Sequence, residues 1–234
     1  MQEKRQAFKK PSKRHQPKGL TIIYEDQDII VVDKAIGLLT ISTDREREKT
    51  AYFLLNDYVK KGNTRSKNRI FIVHRLDRDT SGVLVFAKSE ESKRFLQDNW
   101  KDFSKQYRTI VHGKLAEKEG IISSYLIENK AHVMYSTDDA ERGKFSKTEY
   151  NVIKETRQYS LLNIKLHTGR KNQIRVHLSE LGHPIVGDRV YGKKEKGIKR
   201  LCLHSYSLSI IHPYTKKSMN FKTEMPLYFK TLVH

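Results

Sequence analysis

The chain has 234 residues and a mass of 27.5 kDa, with 46 Lys and Arg against 27 Asp and Glu, a formal net charge of +19 and a pI near 9.8. That length suits one domain or two tightly joined halves around a buried core, and the charge predicts a polyanionic partner, nucleic acid ahead of anionic lipid. No apolar run approaches the roughly 18 residues of a membrane span and the N-terminus lacks the apolar stretch of a signal peptide, so a cytoplasmic protein is expected; the single cysteine, Cys202, excludes an internal disulfide and a thiolate cluster.

Residues 1–18 hold five Lys and two Arg against Glu3, with two Pro and almost nothing apolar. Such a segment cannot offset the entropy of ordering and reads as a basic, flexible arm. Residues 19–234 read as the folded domain. Thr21 to Tyr24 and Ile29 to Val32 are β-branched runs around the acidic turn Glu25 to Asp28, a hairpin signature. Residues 44–60 suit an amphipathic helix, with Tyr52, Leu54, Leu55 and Val59 apolar and the charged stretch Asp44 to Lys49 capping or preceding it. Ile70 to Val73 and Val83 to Ala87 are further strand candidates, and Glu90 to Trp100 a second helix with Phe95 and Leu96 inward. Strands are then expected at Tyr107 to Val111, Ser146 to Ile153, Tyr159 to His167 and Leu201 to Ile210, with one helix from Asn172 to Leu181. Many strands and few helices without regular alternation predict an α+β fold with a mixed, largely antiparallel sheet. A basic cluster at 193–200 reads as an exposed loop.

Two outlines fail on their mechanics. Gly82 to Ser89 has the spacing of a phosphate loop, but Val83, Leu84, Val85 and Phe86 are the residues of a buried strand rather than a glycine-rich turn. The ten histidines include no two-His helix motif with a glutamate base and no completed zinc set, so no metal is expected.

The chemistry concentrates in two segments: His74-Arg75-Leu76-Asp77-Arg78-Asp79-Thr80-Ser81-Gly82, between two strand candidates, and Thr168-Gly169-Arg170-Lys171-Asn172-Gln173-Ile174-Arg175-Val176-His177, followed by Gly182-His183-Pro184-Ile185-Val186-Gly187-Asp188. The first, alone, also suits a solvated turn, since Asp, Thr, Ser and Gly are turn formers and Arg–Asp pairs are common on surfaces. Together the segments resemble the RluA-type family of RNA pseudouridine synthases. The signature H-R-L-D-x-x-T-S-G is met in full at 74–82, and T-G-R-x-H-Q-[IL]-R-V-H with G-x-P-I-x-G-D-x-x-Y-G at 168–192, with Asn172 in place of the usual His. A D-K-P-x-G-L-type element stands at Asp33 to Leu38 with Ala35 for Pro, and K-x-Y-x-x-x-V-x-G at Lys105 to Gly113. Ala35 is expected to relax a turn, and Asn172 to keep a hydrogen-bonding side chain without a titratable role.

The resemblance implies the pseudouridine synthase fold, in two halves with peripheral helices and a central RNA-binding cleft. It implies isomerisation of uridine within rRNA or tRNA without a cofactor, with Asp77 as catalytic aspartate acting as nucleophile at C1′ or as base at C2′. Arg175 matches the family arginine that pairs with that carboxylate. Tyr107 matches the tyrosine that packs on the extruded base, although a tyrosine in an alternating strand is ordinarily core. Ile174 is implied as the pocket's apolar floor or as plain core, and His74, Arg75, Arg170 and Lys171 as substrate-binding; Arg78 falls at a variable position. With the strand pattern starting by residue 21, the compact form without an N-terminal S4 module is expected, working as a monomer. An alternative from another class is an RNA-binding ribosome-assembly factor on an inactive synthase scaffold, which an altered Asp77 or Arg175 would have favoured.

Overall fold

The computed structural model describes residues 11–42 and 46–234. In chain order the elements are β1 (Leu20–Glu25), β2 (Ile29–Lys34), α1 (Ala51–Lys60), β3 (Phe71–Ile72), β4 (Ser81–Ala87) and α2 (Glu90–Asp98). Then come β5 (Ser104–His112), β6 (Glu119–Glu128), β7 (Met134–Thr137), β8 (Lys144–Glu155), β9 (Tyr159–Leu166), α3 (Gln173–Glu180), β10 (Leu203–Ile211), β11 (Ser218–Lys222) and α4 (Leu227–Leu232). The chain forms two compact units, one from the described residues up to Phe103 with Ser207–Thr223, the other from Ser104–Tyr206 with Glu224–His234. Strand-rich, antiparallel pairing with few helices is the expected α+β arrangement. No described helix is long and apolar enough to cross a membrane.

In the first unit β2 lies between β1 and β4, with Ile29 opposite Ala87 and Lys34 opposite Gly82. All of β4 is buried and β2 nearly so. This explains their continuous apolar runs, which belong to strands covered on both faces, and it disposes of the phosphate-loop outline. Ile29, Val31, Val83, Val85, Leu96, Leu208 and Phe221 share one core cluster. Helix α1 starts at Ala51, so the charged residues Glu46 to Lys49 precede it, and Thr50 is the cap: its backbone is extended and its Oγ1 accepts the N–H of Phe53 at 3.1 Å. Thr43 and the first two residues of the charged stretch, Asp44 and Arg45, lie outside the described residues. Helix α2 is capped alike by Ser89, with Glu90 and Glu91 complementing the dipole. It ends at Asp98, and Trp100–Asp102 form a separate 3-10 turn.

In the second unit β5, β9, β8, β6 and β7 lie side by side in that order, each neighbouring pair antiparallel. Its core joins Ile110, Val111, Leu162, Ile164, Ile174, Leu178 and Phe229. Strands β6, β7 and β11 and helix α4 were absent from the sequence reading. β6 leaves Ile121 59% exposed and carries two serines where apolar residues would have marked a face, and β7 has only four residues. Residues 1–10 of the basic arm lie outside the described residues, whereas order is already present before Gly19. Residues 13–15 form a 3-10 turn, and the Gln16 side-chain oxygen accepts the N–H of Ile22 at 2.6 Å.

Candidate active site

The HRLD segment forms the loop between β3 and β4, and the 34–40 segment grips its backbone. Thr40 Oγ1 donates to the Leu76 carbonyl at 2.7 Å and accepts the Leu76 N–H at 3.1 Å. On the far side of Asp77, the Arg78 carbonyl accepts from Lys34 Nζ at 3.2 Å and from the Gly37 N–H at 2.9 Å, while the Thr80 N–H donates to the Asp77 carbonyl. Lys34 is fully buried, and its ammonium also reaches the carbonyls of Leu38 at 2.7 Å and Ala35 at 3.1 Å. A buried ammonium persists only when its donors are satisfied. Here three carbonyls do so and draw two segments together, which fixes the peptides on either side of the half-buried Asp77. Ala35 does not relax this turn: its N–H donates to the Gly19 carbonyl at 2.8 Å, a bond that proline would lack.

The neighbours of Asp77 differ in what they contact. His74 stacks on Trp100 at 4.2 Å and its Nε2 accepts the Val85 N–H at 3.2 Å, so its ring braces the loop against β4 and the turn after α2. Arg75 is exposed. Arg78 pairs with Glu46 at 2.7 Å on the surface.

In the second unit the later signature places Arg170, Lys171, Ile174 and Arg175 around the start of α3. Asn172 precedes the helix with φ of 53°, a left-handed conformation that asparagine tolerates better than most residues. Arg175 is held as a fork by Asp188, Nε to Oδ2 at 2.7 Å and Nη2 to Oδ1 at 2.8 Å. Its Nη1 donates to Asn172 Oδ1 at 3.1 Å and its guanidinium lies 5.0 Å from the Tyr191 ring centre. Asn172 Nδ2 donates in turn to Tyr191 Oη at 3.2 Å. Thus Asn172 serves as a neutral acceptor that orients Arg175 at any pH. Burial pushes the Asp188 carboxyl up, but the Arg175 guanidinium and the N–H groups of Tyr191 and Val190 outweigh it and hold the group below its usual range. Gly187, just before it, has φ of 79°, and a Cβ there would sit 2.1 Å from the Arg200 carbonyl oxygen, so the turn that aims Asp188 requires glycine.

Helix α3 is also locked from beneath. Gln173 Nε2 and His177 Nδ1 both meet Thr148 Oγ1 of β8, each at 2.9 Å, and His177 Nε2 meets Ser124 Oγ of β6 at 3.0 Å. Burial lowers the His177 pKa from its ordinary value, outweighing the Glu180 charge that raises it. Ile174 is 5% exposed and belongs to the core cluster against which the half-buried Tyr107 packs. Lys171 Nζ donates to Glu128 at 2.6 Å, and Arg170 Nε to the Phe145 carbonyl at 3.1 Å. Asp188, Tyr191, Thr40 and Lys34 had no role in the sequence reading. Asp188 stood at the end of a quoted motif, but only geometry reveals the guanidinium beside it.

Among the described residues, Asp26, Asp28 and His212 come close enough to suggest a cation site. Their hydrogen bonds argue otherwise. His212 Nδ1 accepts the N–H groups of Tyr214 and Thr215, so Nε2 carries the proton and donates to Asp26 Oδ2 at 2.7 Å. Asp26 also accepts from Tyr24 Oη and from the N–H groups of Asp28 and Ile29. The group is a lock on the turn between β1 and β2.

A family profile described as RNA pseudouridylate synthase matches residues 28–180. The chain is 39% identical over 198 residues to the "Ribosomal large subunit pseudouridine synthase D" of Borreliella burgdorferi, covering 82% of this chain and 61% of that protein. It is 32% identical over 221 residues to the "Uncharacterized RNA pseudouridine synthase YjbO" of Bacillus subtilis, covering 93% and 77%. Among solved structures, "Human RNA Pseudouridylate Synthase Domain Containing 4" superposes with a TM-score of 0.75 at 22% identity, covering 89% of this chain and 90% of that one. "Human RNA Pseudouridylate Synthase Domain Containing 1" gives 0.71 at 26%, covering 92% and 86%. The fold is therefore that of pseudouridine synthases, and the chain belongs to the RNA pseudouridylate synthase family, isomerases that convert uridine in RNA to pseudouridine.

Proposed function

We propose that this protein isomerises uridine to pseudouridine in ribosomal RNA, with Asp77 as the catalytic carboxylate. The observation that carries the reading is the double clamp on the Asp77 loop by Thr40 and Lys34 in a chain of this family. A reacting carboxylate must be held to a fraction of an ångström, and burying a lysine for that purpose is costly without such a role. Ribosomal RNA is favoured over tRNA by the likeness to the large-subunit enzyme of Borreliella burgdorferi.

In the reaction the C1′–N1 bond breaks, the uracil turns, C5 bonds to C1′, and the proton on C5 leaves as N1 gains one. Asp77 acts ionised, either attacking C1′ or removing the C2′ proton. Arg175, oriented by Asp188 and Asn172, is the cation we assign to the reaction. Tyr107 offers an aromatic face to the extruded base, a contact worth roughly 1–3 kcal/mol. Arg75, Arg170 and Lys171 meet phosphates, and His74 takes part by holding the loop. The basic N-terminal arm adds affinity through phosphate neutralisation. Mapping pseudouridine in total RNA from cells with and without this protein tests the reading. Loss of one or more ribosomal sites supports it, whereas an unchanged map together with impaired ribosome assembly would favour the assembly-factor alternative.

A further inference from the structure

On the second unit, a pocket of about 440 Å³ opens beside the start of α3, within the size range of small-ligand sites. Its floor is apolar. Leu126 and Met134 are buried in a cluster with Val176 of α3, with Tyr191 packed against it, and Ile127 adds a half-buried edge. Its rim is cationic, with Arg142, Lys144, Arg170 and Lys171 against Glu128, which is already bonded to Lys171. The loop between β7 and β8 fixes the Arg142 backbone, because Asp139 Oδ1 accepts the backbone N–H groups of Glu141 and Arg142, while the exposed Arg142 side chain lies with Nε 3.8 Å from Asp139 Oδ2. Gly143 follows, where a Cβ would fall 2.6 Å from that of Tyr125, so the loop can close this tightly on β6 only with glycine.

An apolar floor under a ring of cations suits neither a bare phosphate, which needs no floor, nor an apolar ligand, which needs no cations. It suits a nucleotide, with the base on the floor and phosphates on the rim. We infer that this pocket seats one unpaired nucleotide of the RNA substrate other than the reacting uridine. The inference rests on the RNA-modifying function proposed above and adds a docking point to it. The seat is joined to the arginine cradle: the Met134 N–H donates to Tyr191 Oη at 3.0 Å, and Tyr191 is the ring beneath Arg175. Binding energy gained there helps register the RNA on the unit that carries Arg175 and Tyr107.

The test compares the native chain, the double variant Arg142→Ala with Lys144→Ala, and Lys154→Gln as an exposed control on β8. The probe is total RNA labelled with tritium at uridine C5, from cells lacking the protein, with label release as the readout. The double variant is expected to raise KM about tenfold with kcat within twofold, and to flatten the salt dependence of RNA binding by about 1.4, the value for two phosphates on a single strand. The control should match the native chain. RNA bearing 4-thiouridine should crosslink to residues 126–134. An unchanged KM, a fall in kcat alone, crosslinks confined to other segments, or an equal loss of heparin binding would overturn the nucleotide seat. If the native chain released no label from any RNA, yet the crosslink and the variant's weakened binding remained, the proposed function would fall while the seat would stand.

Discussion

Replacing Asp188 by Asn is the most incisive change away from Asp77. The Asp188 side chain is fully buried and that of Arg175 is 13% exposed, so solvent screens their forked pair little. Asparagine keeps one oxygen for the N–H groups of Val190 and Tyr191, but turns an N–H donor toward the guanidinium and removes the carboxylate charge that forks to it. Breaking a buried pair from one side costs about 3–5 kcal/mol. For a domain of this size that corresponds to a Tm lower by roughly 6–20 °C, at about 2–4 °C per kcal/mol. Thermal unfolding followed by circular dichroism should show this fall, and tritium release below the new Tm should drop because Arg175 is no longer aimed. The carboxyl's folded pKa lies below its ordinary 3.8, so its stabilisation is complete above that pH and disappears as pH falls through the folded value. The native chain should therefore lose stability below about pH 4, and the variant should lack that component. A Tm within about 2 °C of native, with full turnover, would refute the cradle assigned to Asp188.

Three further outcomes follow from the geometry. Lys34→Met should lower stability by about 2–4 kcal/mol in urea titration, since the carbonyls of Leu38 and Arg78 lose a charged donor; turnover should fall as the Asp77 loop loosens, and an unaltered midpoint would contradict the clamp. His204 is pushed down to about 4 by burial and by Arg200. A histidine kept neutral stabilises fully above its unfolded value of 6.5 and loses that contribution as pH drops toward the folded one. Stability should thus decline between pH 6.5 and 4 by up to ~1.4 kcal/mol per pH unit, and His204→Gln should flatten the decline; identical pH profiles would count against it. Tyr107→Phe should retain RNA binding while slowing turnover, and Tyr107→Leu should impair both; a Phe variant with native turnover would limit the residue to packing.

How far the residues disclose the site depends on which interactions are local. The hairpin of β1 and β2, the buried β4 and helix α2 follow from apolar runs and caps within a few positions, so periodicity finds them. For α1, Tyr52 to Val59 mark a face but not an end, so the residues leave open whether the charged stretch caps the helix or precedes it, and the cap is Thr50. Strand β6 escaped notice because Ser123 is exposed and Ser124 bonds with His177 and Ser136 instead of packing as an apolar residue. The motifs supplied Asp77, Arg175 and Tyr107 as names. What supports them came from long-range partners, Thr40 with Leu76, Lys34 with Arg78 and Arg175 with Asp188, each brought together by folding rather than by spacing. Of the two departures from the expected motifs, Asn172 keeps the hydrogen-bonding role its side chain foretold, whereas Ala35 does not relax its turn. The backbone bond of Ala35 and the left-handed turn at Asn172 give them their physical sense.

The central claim, that Asp77 carries the chemistry, is tested most directly by comparing Asp77→Asn with Asp79→Asn in release of tritium from C5-labelled uridine in RNA. Asparagine preserves size and most hydrogen bonding while removing the charge that either mechanism needs. Asp79 is exposed, two residues further along the same loop, and makes the matched control. The account predicts that the Asp77 variant folds and binds RNA but releases no label, whereas the Asp79 variant retains substantial activity. Turnover by the Asp77 variant, with loss in the Asp79 variant, would contradict it.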